Sequence, residues 1–192
     1  MQFNQISLIC FTILAMAACG KKNQDPQPTP GGADTDSSAT RTEIKEERPS
    51  PLKMTTGMID GVKITINYGS PAVKGRQIWG ALVPYNEVWR TGANEATNIE
   101  FSKDVLIEGQ ELKAGKYGLF TIPSESEWTI IFNSVWDQWG AYDYDASKDV
   151  LRIKVTPRTH EPLAERLDFV IGNDGISLVW EKLEVPFRVK AK

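Results

Sequence analysis

KITINY, Lys63 to Tyr68, and DVLRIKVTP, Asp149 to Pro157, decide the fold. In the first, Ile64, Ile66 and Tyr68 alternate with Lys63, Thr65 and Asn67, so an extended chain puts an apolar row on one face and a polar row on the other. In the second, Val150, Leu151, Ile153 and Val155 dominate, again at strand rather than helix spacing. No stretch of the chain carries a long helical period. Working outward, TNIEF, DVLI, KYGLFTI, WTIIFN, ERLDFVIG and SLVWEKLEV are further short runs rich in Val, Ile, Phe and Tyr. Turn residues separate them: Asp60-Gly61, Glu108-Gly109-Gln110, Ala114-Gly115-Lys116 and Asn173-Asp174-Gly175. Asn, Asp and Gly accept a positive φ at low cost and so mark tight reversals. The expectation is an all-β protein, an antiparallel β-sandwich of the jelly-roll or immunoglobulin-like kind. It has about nine strands and at most one short helix, a turn around Asn86 to Arg90.

The N-terminal part reads differently. MQFNQISLICFTILAMAA has an apolar core from Ile6 to Met16, followed by Ala17, Ala18 and Cys19. That is the grammar of an export signal, and its run of about 11 apolar residues falls short of the roughly 20 that cross a bilayer. The small pair before Cys19 resembles a bacterial lipobox, which implies a signal peptide over 1–18 and lipidation of Cys19. A plain secreted protein and an uncleaved anchor are the alternatives. From 19 to 50 the chain is rich in Pro, Gly, Ser, Thr and charge and poor in large apolar residues, the composition of a lipidated disordered tether. About 30 residues of such coil reach roughly 30 Å. The domain is then 51–192, about 140 residues, enough for one sizeable core.

Composition excludes several functions. The net charge is −3, and no basic stripe or Lys/Arg run appears, which argues against a nucleic-acid partner. With Cys10 in the signal and Cys19 acylated, the domain has no thiol for a disulfide, a nucleophile or a metal. His160 is the only histidine, so a multi-histidine zinc site is ruled out. It stands in RTHEP, read as a Pro-flanked turn, with no G-x-S-x-G elbow to pair with. No catalytic residue and no cofactor is assigned, although carboxylate pairs suited to glycoside hydrolysis are defined by distance and not by spacing in the chain.

Two segments can carry binding. In VWRTGANEAT, Trp89 reads as a packed anchor, Gly92 as a residue in a conformation closed to side chains, and Asn94 as a turn stabiliser. Arg90 is open between a structural network, for instance with Glu95, and a bidentate grip on a ligand carboxylate or phosphate. Arg76, with Lys74 nearby, raises the same choice between exposed charge and an anion-attracting corner. The second segment, SVWDQWGAYDYDASKD from Ser134 to Asp149, holds Trp136, Trp139, Tyr142 and Tyr144 among four aspartates. Flat apolar rings beside carboxylates and amides suit a sugar. The alternative is that Trp136 and Trp139 only peg a long loop to the sandwich. Asp143, Asp145 and Asp149 form a weak calcium candidate, since Lys148 and Lys154 stand where an EF-hand loop requires glycine and glutamate.

The blocks SPAVKGR, VPYNEVWRTGANEAT and AGKYGLF resemble the domain of unknown function 2911 family, found mainly in exported proteins of Bacteroidetes and their relatives. The resemblance runs over roughly Met58 to Val189. It implies an exported all-β domain and carries no catalytic residue across. The expectation is therefore a lipid-anchored protein of the cell envelope, periplasmic or outer-membrane-associated, held to the membrane by its N-terminal lipid. Its domain binds a glycan or another small envelope ligand. The alternatives are a structural or protein-interaction component of an envelope complex, and a carboxylate-dependent hydrolase.

Overall fold

A computed structural model describes residues 48–192. The signal segment, Cys19 and nearly all of the tether lie outside the described residues. Ten strands follow one another: β1 (Leu52–Ile59), β2 (Val62–Gly69), β3 (Asn98–Phe101), β4 (Val105–Ile107), β5 (Gln110–Leu112), β6 (Gly115–Ile122), β7 (Trp128–Asn133), β8 (Asp149–Val155), β9 (Arg158–Ile171) and β10 (Gly175–Ala191). They form two antiparallel sheets, one ordered β1-β2-β3-β6-β7-β8 and the other β5-β4-β10-β9. The larger sheet runs in chain order as a meander. Its β3–β6 connection lends the β4–β5 hairpin to the smaller sheet.

Alternation becomes packing as expected in β2, where Val62, Ile64, Ile66 and Tyr68 are buried. Two hairpins obey turn chemistry. Asp60 and Gly61 take φ of 50° and 74°, and Glu108 and Gly109 take 47° and 82°, the pair of positive values that matches the twist of a two-residue hairpin. The register agrees, with Ile59 opposite Val62 and Ile107 opposite Gln110.

Four local expectations are corrected. The segment 86–90 is not helical: Asn86 N–H donates to Pro123 O, and Trp89 exchanges both backbone bonds with Thr121 (2.7 and 2.9 Å), so its donors are spent on β6 and its flank. The one short helix is a 3-10 turn at Ala146–Lys148, capped by Asp145. Asn173 to Gly175 reverse the chain without any positive φ; Gly175 is needed because a Cβ there would lie 2.6 Å from Phe187 O. RTHEP is strand and not turn, which places His160 within β9. That strand is a sheet edge, where proline costs no ladder bond, and its register against β10 shifts between Glu181, opposite Ala164, and Leu183, opposite Thr159.

The core lies between the sheets, and at one end of it four tryptophans meet. Trp79 packs edge-on against Trp89, Trp128 and Trp180 with ring centroids 5.0–5.9 Å apart, and Trp89 stacks on Trp180 at 6.0 Å. Such edge-to-face geometry suits the quadrupoles of aromatic rings. A second, smaller core lies on the other face of the large sheet. Phe120 and Ile131 alternate with the inward Leu119, Ile130 and Phe132, and they are covered by Ala96, Val88, Ala141 and Tyr144. Strands β6 and β7 are thus buried on both faces, which is why GLFTI and WTIIF read as nearly unbroken apolar runs.

Candidate functional site

The segment Trp89 to Thr97 is a loop sewn onto the end of the large sheet. Thr97 closes it, its N–H donating to Arg90 O (3.1 Å) and its hydroxyl to Thr91 O (2.9 Å), while Ala93 N–H reaches Gly69 O (3.2 Å). The Trp89 indole N–H donates to Gly92 O at 3.2 Å. The left-handed residues are Thr91 (φ 55°) and Asn94 (φ 66°), not Gly92. Gly92 is required for space instead, because a Cβ there would stand 2.8 Å from the Thr97 hydroxyl. A β-branched residue at positive φ is an outlier. Thr91 is held there with its buried hydroxyl within reach of Trp89 O and the Thr121 hydroxyl.

This loop forms one side of a cleft of about 370 Å³, lined also by Arg76, Val83, Pro84, Glu87, Trp180 and Ser50. Trp89, Arg90 and Asn94 all line it. Arg76 is exposed at its rim, with Nε and one Nη bound to the Val73 and Ala72 carbonyls (3.1 and 2.5 Å). Arg90 does not pair with Glu95. Glu95 instead receives a two-point bond from Arg48 (3.0 and 2.7 Å), and that guanidinium holds its carboxyl below the ordinary glutamate range. Arg90 makes no ion pair among the described residues, and its Nε is buried without an acceptor.

The second segment folds against the first. Ala96 N–H donates to Gln138 O (3.0 Å) and Gly140 N–H to Asn94 O (2.9 Å), so two stretches about 45 residues apart in the chain share one surface. Asn94 lines the first cleft; Glu95 lines a second, of about 270 Å³, with Asn67, Asn98, Trp136, Asp137 and Gln138. The 94–95 backbone is the ridge between them. The loop is pegged by Ala141 and Tyr144, not by Trp136 and Trp139. Tyr144 packs on Phe120 at 5.0 Å and donates to Asp149 (2.6 Å); burial and then that carboxylate push its hydroxyl up to about 12. Trp136, Trp139 and Tyr142 remain exposed by 37%, 57% and 85%. Lys116 sits 3.6 Å over the Trp136 ring, a cation–π contact that covers one of its faces.

The aspartates of the calcium candidate do not converge. Asp145 accepts from the Ser147 N–H and hydroxyl (2.8 Å each), and Asp149 accepts from Asn133, Tyr144 and Arg152. Among the described residues no group of three or more His, Cys, Asp or Glu is placed to hold a metal ion.

Two features escaped the sequence reading. A cleft of about 630 Å³ lies on the small sheet and is lined by Glu108, Arg158, Ser177, Glu184 and Arg188 among others. Its glutamates are held by arginines: Arg158 binds Glu184 at 2.9 and 2.7 Å, and Arg188 binds Glu108 through its backbone N–H (2.6 Å) and guanidinium. The Arg158 bond lowers the Glu184 carboxyl. At Glu108 burial pushes upward, but the bonds from Arg188 outweigh it and the net shift is downward. A general acid needs a raised carboxyl, so neither is poised for that role. The other feature is Tyr68, buried, bound to Asp168 on β9 and 3.0 Å from the Thr55 hydroxyl. Burial and then Asp168 raise its hydroxyl to about 12. No local signal marks either, because each joins strands distant in the chain.

Fold and surface together define an antiparallel β-sandwich with two adjoining clefts and exposed aromatics on one side. Residues 50–189 match the family model described as Protein of unknown function (DUF2911), and the chain belongs to that family. Neither curated proteins nor solved structures yielded a match.

Proposed function

We propose that this is a lipid-anchored cell-envelope protein whose β-sandwich domain binds an envelope glycan on the face carrying Trp136, Trp139 and Tyr142. The observation that supports this reading is the exposure of those rings, Trp139 and Tyr142 above all, outside the cluster that Ala141 and Tyr144 form on Phe120. Asparagine, glutamine and carboxylate side chains lie alongside in the second cleft, supplying partners for hydroxyls. A glycan at about 100 times its dissociation constant adds about 2.7 kcal/mol to stability, which raises the thermal midpoint by several degrees. Such a shift with neutral sugars or peptidoglycan fragments, lost in Trp139→Ala, is the expected result. A flat midpoint across the whole panel, with the protein folded, overturns it.

The anchor rests on Ala17-Ala18-Cys19. Cys19→Ser should move the protein from the membrane fraction to the soluble one; retention in the membrane excludes the lipid as the tie. A protein-interaction role draws on a different observation. Edge strand β1 turns Leu52, Met54 and Met58 to solvent, each about three-fifths exposed, and flexible methionines suit a protein contact.

A further inference from the structure

We propose that the cleft between Arg76 and Asn94 is a separate site for a small molecule carrying one oxyacid group, a carboxylate or phosphate monoester, on an apolar body. It lies across the 94–95 ridge from the glycan face and uses other residues, and three observations carry it.

The first is Arg90. Its side chain lines the cleft and forms no ion pair among the described residues, and a partly buried guanidinium gains from an acceptor. The nearby acid that could serve, Glu95, is committed to Arg48, and Glu87, which also lines the cleft, forms no ion pair with Arg90 among the described residues. The second is rigidity. The Arg76 head is tied by two bonds to carbonyls, and the Arg90 backbone is tied through Thr97. Two arginines and one glutamate, Glu87, line the cleft, and with the Arg76 head already tied less ordering is needed when an oxyanion arrives. The third is the lining. Val83, Pro84, Trp89 and Trp180 supply apolar lining, and about 370 Å³ is room for a small molecule. Arginine recognises planar or tetrahedral oxyanions through paired N–H donors, whereas the apolar walls take the remainder of the ligand.

The tryptophans give the readout. Trp89 and Trp180 line the cleft and stack on each other, so occupancy alters their fluorescence. The purified full chain is titrated with hexanoate, hexyl phosphate and, as the uncharged control, hexanol. The expected result is saturable quenching by at least one charged probe, about tenfold or more tighter than by hexanol; which of the two binds more tightly identifies the oxyacid. Arg90→Lys, which keeps the charge and loses the fork, should weaken the charged probe about tenfold. Because that variant can also disturb the loop, Glu87→Gln is measured in parallel. Glu87 is exposed, and removing its charge should tighten the charged probe while leaving hexanol unchanged. Equal binding of hexanol and the charged probes, no response from any probe, or a Glu87→Gln variant with unaltered affinity overturns the site. Trp139→Ala should leave this titration untouched while abolishing any glycan response, so the two sites stand or fall separately.

Discussion

The six tryptophans divide into two regions that use the same side chain for opposite ends. Trp79, Trp89, Trp128 and Trp180 interlock at one end of the core, while Trp139 is more than half exposed and Trp136 about a third exposed beneath Lys116, on a loop held down by Ala141 and Tyr144. The first group builds the core, and Trp89 and Trp180 also line the cleft beside Arg90. The second lies outside the cluster formed by Ala141 and Tyr144 on Phe120 and leaves apolar surface exposed.

The comparison can be broken most severely from the inside. Trp180→Ala should cost about 3–5 kcal/mol by lost contact and cavity, seen as a lower urea midpoint. Trp180→Phe should cost less, because the Trp180 indole N–H is buried without an acceptor among the described residues. Next is the seam between core and loop. Gly69→Ala would put a Cβ 2.0 Å from Ala93 O and should destabilise by about 1–3 kcal/mol through backbone displacement. A neutral result would show that the 89–97 loop rides freely on β2.

Tyr68→Phe should cost about 1 kcal/mol, and it also changes the pH profile. The hydroxyls of Tyr68 and Tyr144 rise from 10.0 to about 12 on folding, so the folded state keeps protons that the unfolded chain has released. Stability from them is complete below pH 10 and is lost as pH climbs through about 12. Tyr68→Phe should flatten that alkaline decline, leaving the Tyr144 part; an unchanged slope would mean that Tyr68 does not sense the folded state. The smallest effect is expected on the outer aromatics. Trp139→Ala should alter stability by no more than about 0.5 kcal/mol, and a larger loss in chemical unfolding would return that residue to the packing group.

Strand positions were legible because alternation and turn chemistry are written within a few residues. Ile64, Ile66 and Tyr68 face inward for the reason their spacing implies, and Asp60-Gly61 turns because those two residues tolerate the twist. Errors arose where a distant partner overrules local preference. Pro162 belongs to a strand because β9 is an edge; segment 86–90 is a turn at Asn86 followed by a bridge at Trp89, because Pro123 and Thr121 take its bonds; Gly92 is chosen for crowding from Thr97 and Gly69, not for a positive φ. Among the site residues, Trp89, Arg90, Asn94 and Arg76 do meet at one cleft. The Arg90–Glu95 pairing weighed from their closeness in sequence does not form, and the loop pegs are Ala141 and Tyr144 in place of the tryptophans.

By itself the chain determined an all-β sandwich, its tight hairpins, the family blocks and the two segments worth inspecting, since periodicity and turn residues act over a handful of positions. Tertiary structure alone decided which charged and aromatic groups were consumed. Arg48 takes Glu95 from 47 residues away, and Tyr68 meets Asp168 across 100. Hydrogen bonding and burial depend on which surfaces the sheets bring together, so whether an arginine is satisfied or a tryptophan covered is settled only when the distant strands have met.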